Sequence, residues 1–476
     1  MKNYEVVIGL EVHVELATNS KLFCSCSAKF GADANENVCP ACAGMPGMLP
    51  VANKNAIELG IAASLVTNSR ITPVISFDKK NYFYPDLSCG YQITQLFAPI
   101  CRDGRVEIET SKGTKTITLK QIHIEEDAGK LVHSRGVSLV DYNRCSVPLV
   151  EIVSNPDFRS AEEVVAYLEK LRALLTFAGV SDCKMQEGSM RCDVNLSVRE
   201  VGSDVLGTRT EMKNMNSLKA IVRAIEYETQ RHIDALETGC EELVQETRRW
   251  DDNAGQSFSM RNKENATDYR YFPNADLMPI VVDEEWINEV KSRLPESAHD
   301  KYARMTKELG IAEIDAKKIT SSKNLSDIFD ALMSKGLPAK DVVAWIITEL
   351  LSLDTDENKS YDDISINCDS FAKLIELVNN KEINRTIAKK IFVLIYEKDI
   401  DPVAYVKENN LGMVSDTSFI DDAVTAAMNE NPDSVKQYRE GNAKVVGFLM
   451  GKVMQKTAGK ADPSVVREIL MSKLDN

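Results

Sequence analysis

From residue 11 to residue 15 the chain reads Glu11-Val12-His13-Val14-Glu15, polar at each odd position and β-branched at each even one. A strand has a side-chain period of two, so this pattern puts Glu11, His13 and Glu15 on one side of a sheet and the valines on the other. The alternation returns in Arg191, Asp193, Asn195, Ser197 and Arg199 against Cys192, Val194, Leu196 and Val198, and again in Arg209, Glu211 and Lys213. Another β-like stretch ends in His123-Ile124-Glu125-Glu126-Asp127, adding four titratable groups. Together these stretches predict one chemically loaded sheet face. A solvated outer face usually alternates in sign with many lysines, whereas this one carries two of the five histidines of the chain.

Helical spacing interrupts the strands at Ser160 to Ala178 and at Ser217 to Leu236, and Ser160 with Glu163 three residues on reads as a capping box. After Pro295 the alternation stops. Asp341 to Leu353 and Phe371 to Val378 have helical spacing, and the polar stretch Asp354 to Tyr361 reads as a loop between them. The fold class is therefore α+β, with a large β-rich domain over residues 1–293, a helical domain over 294–405 and a small all-α tail domain over 406–476. Pro402, Pro432 and Pro463 punctuate the last part.

Composition narrows the function class. With 476 residues, 43% of them hydrophobic, the chain can bury full cores in about two to four domains. No apolar run approaches the roughly 20 residues of a membrane span, and the start MKNYEVV lacks the order of a secretory or transit signal, so the expected location is cytoplasmic. Four of the eleven cysteines are clustered and seven are scattered singly, the usage of a reducing compartment. A net charge of −15 opposes general nucleic-acid affinity, yet from Lys436 to Asn476 eight basic residues face four acidic ones, a net of +4. That basic end is either a contact for RNA or a solvated helix surface.

Two kinds of site stand out. Cys24-Ser25-Cys26 and Cys39-Pro40-Ala41-Cys42 supply two close cysteine pairs, the ligand set of a tetrahedral Zn²⁺ whose closed shell makes it structural. The acid and histidine face is of another kind, because carboxylates with an occasional imidazole suit Mg²⁺ in phosphoryl transfer. Glu125, Glu126 and Asp127 repel one another unless a cation lies among them, and Glu151, set among apolar neighbours, needs a partner. Lys79, Lys80, Lys130, Arg191 and Lys213 can neutralise phosphate oxygens. No phosphate-binding Gly-rich loop is present, nor a paired Cys and His of glutaminase type. Two aromatic clusters beside basic residues, KKNYFYPD at 79–86 with Tyr82 and Tyr84 and DYRYFP at 268–273 with Tyr269, Arg270 and Tyr271, can stack on the bases of a single-stranded end or serve as turns with core aromatics.

With these residues in place, the sequence resembles the B subunit of the tRNA-dependent amidotransferases that make Gln-tRNA or Asn-tRNA from mischarged Glu-tRNA or Asp-tRNA. The resemblance spans the chain and rests on VIGLEVHVEL at 7–16, FDKKNYFYPD at 77–86, HIEEDAGK at 123–130, LVEIVS at 149–154, MRCDVNLS at 190–197, QETRRWD at 245–251 and DYRYFP at 268–273. It implies a cradle domain, a helical domain and a basic tail domain that helps hold tRNA, here through Lys436, Arg439, Lys444, Lys452 and Lys456. It implies ATP-dependent phosphorylation of the side-chain carboxylate of the mischarged residue, followed by displacement of phosphate by ammonia. His13, Glu126 and Glu151 are then the implied Mg²⁺ ligands, with Glu11, Glu125, Asp193 and Glu211 near that ion or at a second one, and Lys80 on phosphate or substrate carboxylate. Alternation alone puts Glu125, rather than Glu126, on the side of His123, so the two remain alternatives for one ligand. The implied partners are a separate glutaminase (amidase) subunit, which sends ammonia through a channel, a small third subunit that straps the two together, and the mischarged tRNA, with no membrane. Not every member of the family carries the four cysteines, so zinc is an expectation about this chain. The competing classes are a tRNA-binding scaffold without chemistry and a stand-alone ATP-dependent carboxylate-amine ligase active without tRNA.

Overall fold

The structure is a computed structural model and describes residues 3–134, 136–262, 268–353, 361–412, 417–439, 442, 444–457 and 461–475. Two compact units divide the chain, Met1–Ser297 and Ala298–Asn476.

In the first unit the alternating stretches assemble one sheet of nine strands, in the order Gln256–Asn262, Glu246–Asp251, Thr210–Lys213, Met190–Glu200, Tyr4–Glu15, Pro148–Ser154, Gly113–Glu126, Cys101–Thr110 and Arg70–Ile71. Neighbours run antiparallel except Thr210–Lys213 and Glu246–Asp251, which are parallel. The strand Tyr4–Glu15 sits centrally, and its even residues Ile8, Leu10, Val12 and Val14 are buried. They share a core with Ile122, Ile124, Val150, Ile152, Val194 and Leu196, covered by Tyr167, Leu171 and Ile221 of the helices Ala161–Phe177 and Leu218–Thr238. Each fully buried aliphatic side chain contributes about 1.5–3 kcal/mol. Three helices cover one face of the sheet, so the odd face is free to carry polar groups.

Both predicted helices of this unit form, with Ser160 and Ser217 as N-caps. The capping box closes differently. The Ser160 hydroxyl accepts from the Glu163 amide, but the Glu163 carboxylate accepts from the amide of Arg159, one residue early, and pairs with Lys115 at 2.8 Å. A second, three-stranded sheet joins Phe272–Pro273 to Asp78–Asn81 and Tyr91–Thr94, which brings the two distant aromatic clusters side by side.

The second unit consists of helices joined by loops over its described residues and has two separate cores. One runs from Met305 to Val406 around Phe371, Phe392 and Trp345; the other gathers Ile420, Val424, Leu449, Val453, Val466 and Leu470. The stretch expected as one helix from Asp341 is Ala339–Trp345 followed by a π-helical turn, Ile346–Leu350, and Leu351–Leu353. Residues 354–360 of the expected loop lie outside the described residues. The prolines open helices rather than closing them: Pro402 and Pro463 take the first turn behind the caps Asp401 and Asp462, and Pro432 begins Pro432–Arg439. No helix among the described residues is long and apolar enough to cross a membrane.

Candidate active site

Strand register decides which polar residues meet. His13 stands opposite Glu151 on one side and Arg191 on the other, Glu151 opposite His123, and Glu11 opposite Asp193. On Gly113–Glu126 the buried positions are odd at Ile117 and Leu119 and even at Ile122 and Ile124, because a bulge leaves Lys120 without an opposing residue beside Val153 and Ser154. This change of phase turns His123 and Glu125 toward the polar face and Glu126 away from it.

The face forms the floor of a pocket of about 480 Å³ whose lining includes Glu11, His13, His123, Glu125, Glu151, Asp193, Glu211 and Lys213, with Lys80, Tyr269 and Tyr271 from the small sheet and its loop. Two carboxylate groups lie within it, each with ligand atoms within 4.8 Å of one another: His13, Glu125 and Glu151, and separately Glu11, Asp193 and Glu211. In the first, His13 Nε2 is 3.5 Å from both Glu125 Oε1 and Glu151 Oε2, while His123 Nε2 is 2.9 Å from Glu151 Oε2. In the second, Lys213 Nζ contacts Asp193 and reaches Glu211 Oε1 at 2.9 Å. Neutral groups hold the carboxylates in place: Thr94 donates to Glu125 at 3.1 Å, Asn195 to Glu11 at 3.0 Å and Thr247 to Glu211 at 2.9 Å.

The electrostatics are those of an overcrowded anionic site. Burial, then the Glu151, Glu211 and Asp193 carboxylates, push the Glu11 carboxyl above its ordinary value. Burial works against charge on His123, but Glu151 and Glu125 outweigh it and push its pKa up to about 10. Burial likewise opposes ionisation of Glu151, and His123 and His13 overcome it to hold that carboxyl well below the usual range. The donor set, acidic oxygens with one imidazole facing an open pocket, fits a hard divalent cation.

Several expected residues lie elsewhere. Glu126 is not beside the first group: its Oε1 accepts from the Ile93 amide at 2.8 Å on the reverse side, facing a hollow next to Cys42 and Cys145. Burial pushes its carboxyl up to about 7. Glu125, Glu126 and Asp127 therefore point three ways, and Asp127 is relieved by Arg191 at 2.6 Å and Arg144 at 3.3 Å, not by a shared cation. Lys79 faces away from the pocket, paired with Asp276 at 2.9 Å. Lys130 is exposed on the ribbon Lys130–Ser134/Val137–Asp141, outside the pocket lining. Tyr84 lines a separate hollow with Phe83 and Tyr142, and Arg270 holds a positive φ of 45° and does not line the pocket. Tyr82 packs edge-on against Tyr269 at 6.0 Å, with Lys80 Nζ 5.0 Å over the Tyr269 ring.

Residues that the sequence did not point to also line it: Thr94, Gln95, Lys120 and Gln121. His123 was visible as a rare histidine on the polar phase. Lys120 shares the polar side of Thr116 and Thr118 opposite Ile117 and Leu119, and nothing local set it apart from them.

Cys24, Cys26, Cys39 and Cys42 do converge, with ligand atoms within 4.8 Å of one another. A turn in which the Ala43 amide donates to Cys39 O at 2.9 Å and the Cys39 amide to Cys42 Sγ at 3.2 Å makes the second half of the knuckle. Of the tail residues, Lys436, Arg439 and Lys444 are exposed, Lys452 lies 5.6 Å over Phe448, and Lys456 is paired with Glu430 at 2.6 Å.

Comparison with known proteins agrees with this architecture. Residues 6–288 match the family model described as the GatB/GatE catalytic domain, and residues 327–474 match the GatB domain. Proteins named as the B subunit of aspartyl/glutamyl-tRNA(Asn/Gln) amidotransferase are similar end to end. That of Lachnoclostridium phytofermentans is 54% identical over 100% of this chain and 99% of its own, and that of Caldicellulosiruptor bescii 52% identical over 99% of each. That of Carboxydothermus hydrogenoformans is 44% identical over 100% of this chain and 99% of its own.

Proposed function

The chain belongs to the GatB family of amidotransferase B subunits, and from that premise we propose that it activates the side-chain carboxylate of mischarged Glu-tRNA(Gln) or Asp-tRNA(Asn) with ATP and converts it to the amide. The observation that carries this reading is the convergence of five carboxylates from five strands on one pocket, beside Lys80, Tyr269 and Tyr271 from a second sheet and its loop.

A carboxylate is a poor acyl donor until one oxygen becomes a phosphate leaving group. The substrate carboxylate attacks the γ-phosphorus of ATP, ADP departs, and ammonia then displaces phosphate to leave the amide. His13, Glu125 and Glu151 would hold one Mg²⁺, and Glu11, Asp193 and Glu211 are placed for a second; such an ion supplies charge neutralisation for the transferring phosphoryl group. His123 keeps Glu151 ionised and oriented, Thr94 and Asn195 fix Glu125 and Glu11, and Lys80 faces the pocket as the cation for phosphate or substrate carboxylate. Tyr269, Tyr271 and the packed Tyr82 offer ring faces to the terminal bases of the tRNA. A second hollow of about 440 Å³ shares Glu11, Lys120 and Val153 with the first and gives a bipartite substrate room.

The domains divide the work as catalytic cradle, helical connector and tail, with the exposed Lys436, Arg439 and Lys444 meeting tRNA phosphates. The scaffold alternative leaves the converging carboxylates without a role. Because the chain carries no glutaminase pair, ammonia comes from a separate amidase subunit, strapped on by a small third subunit, in the cytoplasm. Zn²⁺ at the four cysteines braces the loops beneath the pocket.

The test is ADP release and amide formation by the chain co-purified with its amidase partner, with and without mischarged Glu-tRNA. Glu125→Gln is expected to abolish tRNA-dependent ADP release with tRNA binding intact, whereas Glu126→Gln retains it. Unchanged ADP release in Glu125→Gln would move the kinase step off this face.

A further inference from the structure

The four-cysteine knuckle encloses a charge that the metal ligands alone do not explain. Lys21 is 0% exposed, and among the described residues its Nζ has two partners, Cys42 Sγ at 3.5 Å and the carbonyl oxygen of Tyr142 at 3.0 Å. A buried ammonium without a carboxylate is strongly destabilising unless another anion faces it. The backbone leaves it no exit: the Lys21 amide donates to Cys26 O at 2.9 Å and the Leu22 amide to Ser146 O at 2.7 Å, so the residue is clamped inside the knuckle.

The sulfur spacing says which anion. Cys42 Sγ lies 4.0 Å from Cys26 Sγ and 3.9 Å from Cys39 Sγ. Four thiolates at the Zn–S distance of about 2.3 Å in a tetrahedron are about 3.8 Å apart, so the spacing suits one ion rather than a cluster of several metals. One divalent ion with four thiolates carries a net charge of about −2, buried against the only cation that touches Cys42 among the described residues.

We propose that Lys21 is the outer-sphere cation of the four-cysteine site: its ammonium offsets the excess negative charge of the metal-bound thiolates, raises the metal affinity, and destabilises the fold when no metal is bound. The proposal rests on the reading that the four cysteines hold zinc. Because Lys21 also donates to Tyr142 O, it ties the metal to the segment 142–146, where the Ser146 amide donates to Asp127 O at 2.9 Å just ahead of the strand that carries Glu151.

Lys21→Met keeps the shape of the side chain and removes its charge, so the full-length chain is the material for the test. Zn²⁺ affinity measured by competition with a chromophoric chelator is expected to fall 10- to 100-fold, the usual effect of losing an outer-shell partner. The metal-free variant should unfold at a higher temperature than the metal-free wild type, while the rise in unfolding temperature on adding Zn²⁺ should shrink. Co²⁺ loading should show the same thiolate-to-cobalt charge-transfer bands in both proteins, since the ligands are untouched. Equal zinc affinity in the two proteins, or cobalt bands that lack a thiolate in the variant, would overturn the role given to Lys21. A wild-type chain that takes up neither ion would instead remove the zinc reading on which it rests.

Discussion

Two charged clusters in the same domain use the same residue types to opposite ends. Around Glu228, which is fully buried, Arg231 donates at 2.9 Å, Arg248 stands at 3.2 Å, and Arg248 also holds Glu246 at 2.7 Å, with the Ser257 hydroxyl closing the remaining side. Two arginines answer two glutamates there, and each carboxylate is held by a guanidinium. In the pocket, Glu11, Glu125, Glu151, Asp193 and Glu211 outnumber the lysines Lys80, Lys120 and Lys213 and face open space. The histidines report the difference. Burial opposes charge at both, but carboxylates push His123 up to about 10, whereas at His232 the arginines Arg231 and Arg248 add to burial and pull it down to about 4. A matched network is scaffold, and an anionic excess around a pocket is a place for a cation and its substrate.

Substitution should separate the two. Glu11→Gln is expected to lower amide formation by about 10²–10³-fold while leaving urea denaturation little changed, because one interaction with the transferring group is lost and an anion disfavoured by burial and by Glu151, Glu211 and Asp193 is removed. If that variant instead unfolds readily, the pocket is scaffold as well and the distinction collapses. Glu228→Ala should do the reverse, costing about 3–5 kcal/mol in denaturant unfolding by leaving two arginines without their buried partner, with activity per folded molecule retained.

His232 sharpens the contrast through pH. Its folded pKa, about 4, is depressed below the ordinary 6.5, so the unfolded chain takes up the proton first. The stability is full above pH 6.5 and is lost as pH falls from there toward 4, by on the order of 3 kcal/mol in all. His232→Asn should flatten that part of the unfolding-versus-pH curve, and an unchanged slope would show that other groups set it. The smallest effect belongs to Thr247→Val, which removes the hydroxyl that donates to Glu211. It should cost about 1.5 kcal/mol, roughly tenfold in kcat, and raise the Mg²⁺ concentration for half-activity. A mutant indistinguishable from wild type would take Thr247 out of the site.

The strands were legible because each carries its own phase: Val12 and Val14 must be dry, so Glu11 and His13 must share the other side. The same reasoning puts Glu125 on the side of His123 and Glu126 on the other, as the structure has them, and only the family resemblance drew Glu126 toward the ion. Lys79 and Lys80 are adjacent in sequence and so point oppositely on Asp78–Asn81, one to Asp276 and one to the pocket. The anionic run Glu125-Glu126-Asp127 suggested a cation among the three, and the strand end resolves the repulsion by sending each carboxylate a different way.

The sequence by itself determined the period of each strand, the caps of its helices, the cysteine pairs and the polar phase of the sheet, because those depend on residues within a few positions of one another. Tertiary structure alone decided which strands became neighbours, that a bulge brings His123 and Glu125 onto the side that carries Lys120, that Tyr82 meets Tyr269 across 187 residues of chain, and that Lys21 lies against Cys42. Those outcomes depend on pairing and packing between segments far apart in the chain, where no local pattern carries the information.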